Sequence, residues 1–191
     1  GKLKAQGSLE LSAARVTGTG KAQQVVDADG VLTITSREGA KTLGESLGAG
    51  GAVALKGARV EQRGVIDIES GTLDITGVGE AGRNDTVVDT VVFAEKSTTS
   101  VAGRSKPVST DYAVSSNGGS ISATATSGNV VFNGLLDASA GKPLANLNGN
   151  VAQAGSVSLK AIGEAEAGKF TAGAVVVGAS AEIKLDAPAA A

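Results

Sequence analysis

The chain has 191 residues, enough for one domain, and a formal net charge of −2 at pH 7 with a pI near 5.2. It has no His and no Cys, which excludes a Ser-His-Asp triad, a thiol nucleophile and a zinc site built on imidazole or thiolate. The acidic balance and an aromatic content of 2% argue against a nucleic-acid binder, which needs a basic stripe or a stacking platform.

Hydrophobic residues make up 41%, carried by small and β-branched side chains, and 28 residues are Gly. Val, Ile, Leu and Phe form about a quarter of the chain, above the roughly 20% typical of disordered sequences, so a fold with a narrow core is expected. No run of about 18 apolar residues occurs, so no transmembrane helix is expected. The absence of Cys fits either a cytosolic protein or a secreted one without disulfides. Gly1-Lys2-Leu3-Lys4-Ala5 has neither a start Met nor the apolar core of a signal peptide, and reads as an internal or processed end.

Along the chain one heptapeptide shape recurs: Gly, a small or variable residue, then apolar, polar, apolar, polar, small. It occupies residues 7–13, 51–57, 71–77, 119–125 and 155–161, with relatives at 30–36, 64–70 and 128–134. Each unit predicts a short strand with one apolar face, closed by glycine corners. A helix is a poor reading, because each interior Gly costs about 1 kcal/mol. Gly7, Gly30, Gly51 and Gly71 lie 23, 21 and 20 residues apart, one coil turn each. The later intervals, Gly71 to Gly119 and Gly119 to Gly155, are 48 and 36 residues. Their excess falls in two polar stretches, 80–117 and 142–154, read as corner insertions, the first containing a strand at 87–93. Residues 46–51 read as a corner and 187–191 as a frayed end.

A sandwich normally fills its core with large aromatics, whereas a coil stacking on itself needs only small ones. The expected fold is therefore all-β, a right-handed parallel β-helix (β-solenoid) over residues 1–191 as a single segment, with one or two corner insertions. About nine turns at about 4.8 Å would make a shaft on the order of 40 Å.

Gly118-Gly119-Ser120-Ile121-Ser122-Ala123, the stretch from Gly128 through Leu135-Leu136-Asp137-Ala138-Ser139-Ala140-Gly141, and Gly155-Ser156-Val157-Ser158-Leu159 together resemble a rung and return of filamentous haemagglutinin-like exoproteins. These are adhesins of bacterial two-partner secretion. The resemblance is good over 118–161, fair over 9–77 and poor over 80–117. It implies an extracellular, cell-surface β-helical shaft serving attachment or biofilm cohesion. Its implied partners are a host-cell or matrix glycan or protein, or other copies of the exoprotein, with an outer-membrane transporter during export. The family's export-signal domain carries Asn-Pro motifs; this chain has none, so the resemblance implies an interior piece.

Candidate sites are few. Gly18-Thr19-Gly20-Lys21 and Gly77-Val78-Gly79-Glu80-Ala81-Gly82 look superficially like phosphate loops, but no amphipathic helix follows, and corners explain them better. Asp67, Glu69 and Asp74 could supply a carboxylate pair for glycan cleavage or a calcium site. Alternation places Asp67 and Asp74 on an outward, solvated face, which is the bland reading. Asp27 and Asp29 flank a turn. Asn84-Asp85-Thr86 matches the N-glycosylation acceptor pattern. Within 80–117, Arg83, Arg104, Lys106 and Tyr112 are the side chains best suited to contact a partner, with a mobile solvated loop as the equal alternative. No catalytic residue, metal ligand or cofactor is expected. Three functions stay open: a non-enzymatic adhesive shaft, a carbohydrate-active β-helix enzyme, and a self-assembling extracellular filament subunit.

Overall fold

A computed structural model describes residues 1–37, 49–79, 88–166 and 169–188. Every regular element among these residues is a β-strand, and no helix is long and apolar enough to cross a membrane.

The strands come in successive circuits. The first holds β1 (Lys2–Ala5) and β2 (Leu9–Ala13), followed by a single bridging residue, Val16. The second holds β3 (Gln23–Ala28) and β4 (Val31–Ser36). The third holds β5 (Ala52–Gly57), β6 (Arg59–Gln62) and β7 (Val65–Asp67), and the fourth β8 (Thr72–Gly77), β9 (Asp89–Phe93) and β10 (Thr98–Ser100). A hairpin of β11 (Ser105–Pro107) and β12 (Tyr112–Ser115) then precedes the fifth circuit, β13 (Ser120–Ala125), β14 (Asn129–Phe132) and β15 (Leu135–Asp137). After the short β16 (Asn148–Gly149) comes the sixth: β17 (Ser156–Ala161), a hairpin of β18 (Glu164–Glu166) and β19 (Lys169–Thr171), then β20 (Val175–Val177) and β21 (Glu182–Lys184).

Three parallel sheets collect all of these strands but β11, β12, β16, β18 and β19. Sheet A runs β1-β3-β5-β8-β13-β17, sheet B runs β2-β4-β6-β9-β14-β20, and sheet C runs β7-β10-β15-β21. The chain visits A, B and C in rotation, an arrangement consistent with a β-solenoid. Sheets A and B have six strands each, so the stack holds six circuits, about 25–30 Å at the inter-strand spacing, rather than about nine.

Register explains why alternation in the sequence becomes a continuous core. In sheet A, Leu3, Val26, Leu55, Ile75, Ala123 and Leu159 align as one inward ladder. In sheet B, Leu32, Val60, Val91, Val130 and Val175 form another, and Ile34, Gln62, Phe93, Phe132 and Val177 a third. Phe93 and Phe132 meet edge to face, ring centroids 6.1 Å apart at 89°. Outward positions carry Lys4, Asp27, Lys56, Thr76, Thr124 and Lys160.

Within these three ladders one inward position is polar. Gln62 is fully buried, yet its amide is satisfied. Nε2 donates to the carbonyls of Gly64 and Thr98 and to Thr99 Oγ1 at 3.1–3.2 Å, and Oε1 accepts from Gly64 N at 3.1 Å. The side chain thereby ties the corner between β6 and β7 to the next circuit's β10.

The corner entering sheet A is a glycine column. A Cβ on Gly71 would strike the Gly51 carbonyl oxygen, one on Gly119 that of Gly71, and one on Gly155 that of Gly119. Gly7 and Gly30 instead precede β2 and β4 of sheet B. The 21-residue step from Gly30 to Gly51 therefore joins two different corners and is not one turn. The true repeats along sheet A are 23 residues (Lys2 to Val25), 29 (Gln23 to Ala52), 20 (Ala52 to Thr72), 48 (Thr72 to Ser120) and 36 (Ser120 to Ser156).

The long repeats divide differently from the sequence reading. Within 80–117, β9 and β10 are regular members of sheets B and C, and the projecting part is the β11–β12 hairpin. Within 142–154, β16 pairs parallel with β12, so extra segments of consecutive circuits stack as a small lateral sheet. Asn150 fastens it, accepting from Ser115 N and donating to Ser115 O. In the second circuit no described strand enters sheet C, and Val16 bridges directly to Ile66. Residues 46–48 of the expected corner, and 189–191 of the expected frayed end, lie outside the described residues.

Candidate functional site

The segment Val65-Ile66-Asp67-Ile68-Glu69 alternates cleanly, so Ile66 and Ile68 enter the core and Asp67 and Glu69 face outward. They are not solvated, however: Asp67 is 8% and Glu69 2% exposed. Two neighbouring segments cover them. The bridge at Val16, held by Val16 N to Val65 O and Asp67 N to Val16 O at 2.9 Å, lays Arg15 beside β7. From the opposite side the chain leaving β10 brings Arg104 and Lys106 across.

Both guanidiniums converge on one oxygen. Arg104 Nη2 lies 2.6 Å and Arg15 Nη1 3.2 Å from Asp67 Oδ2. Lys106 Nζ lies 3.5 Å from Glu69 Oε1, while Glu69 Oε2 is buried without a hydrogen-bond partner. Three cations thus face two carboxylates. Arg104 is itself positioned by Ser116: its N donates to Ser116 Oγ at 2.9 Å, and Ser116 Oγ donates to its carbonyl at 3.1 Å. Ser70, next to Glu69, donates its hydroxyl to Ser116 Oγ at 2.8 Å. Ser70 has φ 51° and is followed by Gly71, the corner that turns the chain into β8.

The other sequence candidates scatter. Asp74 is exposed on sheet A between Ala54 and Ser122, on a different sheet from Asp67. Asp29 makes an exposed 3.6 Å pair with Lys4, and Asp27 aligns between Lys4 and Lys56. Gly18 packs on Gly51 and Gly20 (φ 54°) turns the chain, so that stretch is a corner. Gly77 ends β8 and Gly79 follows with φ 78°. Arg83 and Asn84 lie outside the described residues. Tyr112 sits on the outer face of the lateral sheet with Val114, both near 40–45% exposed, while Ala113 and Ser115 turn inward. Among the described residues no group of three or more His, Cys, Asp or Glu is placed to hold a metal ion.

So the structure joins two sets that the sequence kept apart: Arg104 and Lys106, read as partner contacts, are counter-ions of Asp67 and Glu69, read as a carboxylate pair. Sequence reasoning missed Arg15 and Gln62. Gln62 had a signal, a polar residue at an inward position of Val60-Glu61-Gln62; Arg15 had none. Comparison with known proteins found no matching family model, no matching curated protein and no matching solved structure.

Proposed function

We propose that this chain is a shaft segment of a large secreted bacterial surface exoprotein of the filamentous haemagglutinin-like kind. In this reading it is a right-handed parallel β-helix acting outside the cell in attachment or biofilm cohesion, without enzymatic activity. The right hand follows from the general rule for parallel crossovers. One observation carries the reading: two six-stranded parallel sheets keep inward, mostly apolar ladders in register from circuit to circuit. Such a stack is stiff along its axis, because each circuit is hydrogen-bonded to the next, and its outward faces are mostly polar. Its partners would be a host or matrix glycan or protein, or further copies, with an outer-membrane transporter during export.

The enzyme alternative is weakened by the setting of its carboxylates. Glycoside hydrolysis needs one carboxylic acid and one carboxylate flanking an accessible bond, and here Asp67 and Glu69 are covered and face cations. The filament alternative draws on the exposed Val175, Val176, Val177 and Ile183 on the edge strands β20 and β21.

The test is adhesion by the displayed protein. Beads carrying the chain should attach to cells or matrix, or coalesce with one another, above beads carrying an unrelated β-protein. Absence of both would overturn the reading. Long uniform fibres by electron microscopy would favour the filament. Glycan turnover abolished by Asp67→Asn would replace both with an enzyme.

A further inference from the structure

The root of the hairpin and β11 reach the outward carboxylates of 67–69 through charged side chains, beside the neutral hydrogen bonds that Ser116 makes with Arg104 and Ser70. Arg104, at the root of the hairpin, pairs with Asp67 at 2.6 Å, and Lys106 pairs with Glu69 at 3.5 Å. The opposite strand of the hairpin is held otherwise, by two residues of parallel pairing to β16 and by Asn150 on Ser115. The shaft beneath is held by buried apolar ladders that involve none of these charges.

These two kinds of attachment respond differently to solvent. Apolar burial is insensitive to moderate salt, whereas the ion pairs weaken as the Debye length shortens to about 3 Å at 1 M, Lys106–Glu69 more than the better-covered Arg104–Asp67. Lys106 is 47% and Arg104 30% exposed in their side chains. Glu69 is poorly satisfied even when paired, because Oε2 has no hydrogen-bond partner. The charged groups that meet here are Arg15, Asp67, Glu69, Arg104 and Lys106.

We propose that β11 is an electrostatic strap: latched over Asp67 and Glu69 at low ionic strength, and loosened at high ionic strength while the three-sheet stack stays folded. Latched, it covers both carboxylates and holds Val108, Tyr112 and Val114 in place on the lateral sheet. Loosened, it exposes the carboxylates and frees that apolar face to move. This inference is independent of the adhesive reading.

Hydrogen exchange on the whole chain tests it, with NaCl raised from about 0.05 M to about 1 M. The amides of Lys106, Val108 and Val114 should exchange about tenfold faster, while those of β8 and β13 change little. Lys106→Met should reproduce the fast hairpin exchange at low salt, and Lys106→Arg should restore protection. Hairpin exchange indifferent to both salt and Lys106→Met would overturn the strap. So would hairpin and β8 amides accelerating together, since the charges would then support the fold as a whole. If Lys106→Met does not fold, the salt titration of the unaltered chain decides alone.

Discussion

Residues 7–13 and 71–77 carry the same alternation, Gly-Ser-Leu-Glu-Leu-Ser-Ala against Gly-Thr-Leu-Asp-Ile-Thr-Gly, yet they live in different surroundings. Leu73 and Ile75 are 0–1% exposed, whereas Leu9 and Leu11 are only partly buried. The sixth circuit repeats the contrast, with Val157 and Leu159 packed against the core but not enclosed by it. Local pattern is the same; the difference is whether a circuit has neighbours on both sides. Cohesion here therefore resides chiefly between circuits, as expected when each repeat touches only its neighbours.

Substitutions can break that contrast or sharpen it. The largest expected effect is at the middle of the stack: Phe93→Ala removes a fully buried ring and its edge-to-face contact with Phe132, and should lower stability by about 3–5 kcal/mol in urea unfolding. Next, Leu73→Ala should lose about 3 kcal/mol and Leu9→Ala about 1 kcal/mol. Hydrogen exchange should show the Leu9 change confined to the first two circuits; equal losses at the two positions would mean that stacking does not set the energetics. Gly119→Ala should follow at about 2 kcal/mol, because its methyl would fall on the Gly71 carbonyl and force two circuits apart. Gln62→Leu should cost less than Gly119→Ala, about 1–2 kcal/mol, since it leaves the Gly64 N–H without its acceptor inside an otherwise apolar ladder. Its signature would be faster exchange at Gly64 with β8 unchanged.

Much of the fold was legible because a strand with one buried face writes its period into the chain. Leu55, Ile75 and Ile121 could be placed inward from alternation alone, and the glycines before them marked corners. Which glycines share a corner was not legible: Gly30 and Gly51 look alike, but one precedes sheet B and the other sheet A. The strand at 89–93 was foreseen, but its membership of sheet B depends on Val91 and Phe93 meeting Val60 and Gln62 from the circuit before. The candidate site was half legible. Asp67 was placed outward, Glu69 was named beside it, and Arg104 and Lys106 were noticed, but nothing in their spacing says that they meet. Asp67 and Arg104 are 37 residues apart, and Asp67 and Arg15 are 52.

The amino-acid order by itself determined that the chain builds short strands with narrow apolar faces and glycine corners, because side-chain alternation and the room needed at a tight bend are local properties. Tertiary structure alone decided the pairing of circuits, the displacement that sets Val16 on Ile66, and the burial of outward carboxylates under cations from distant segments. Those depend on how much chain each circuit spends outside the sheets, and a one-dimensional pattern does not carry the return point of an insertion.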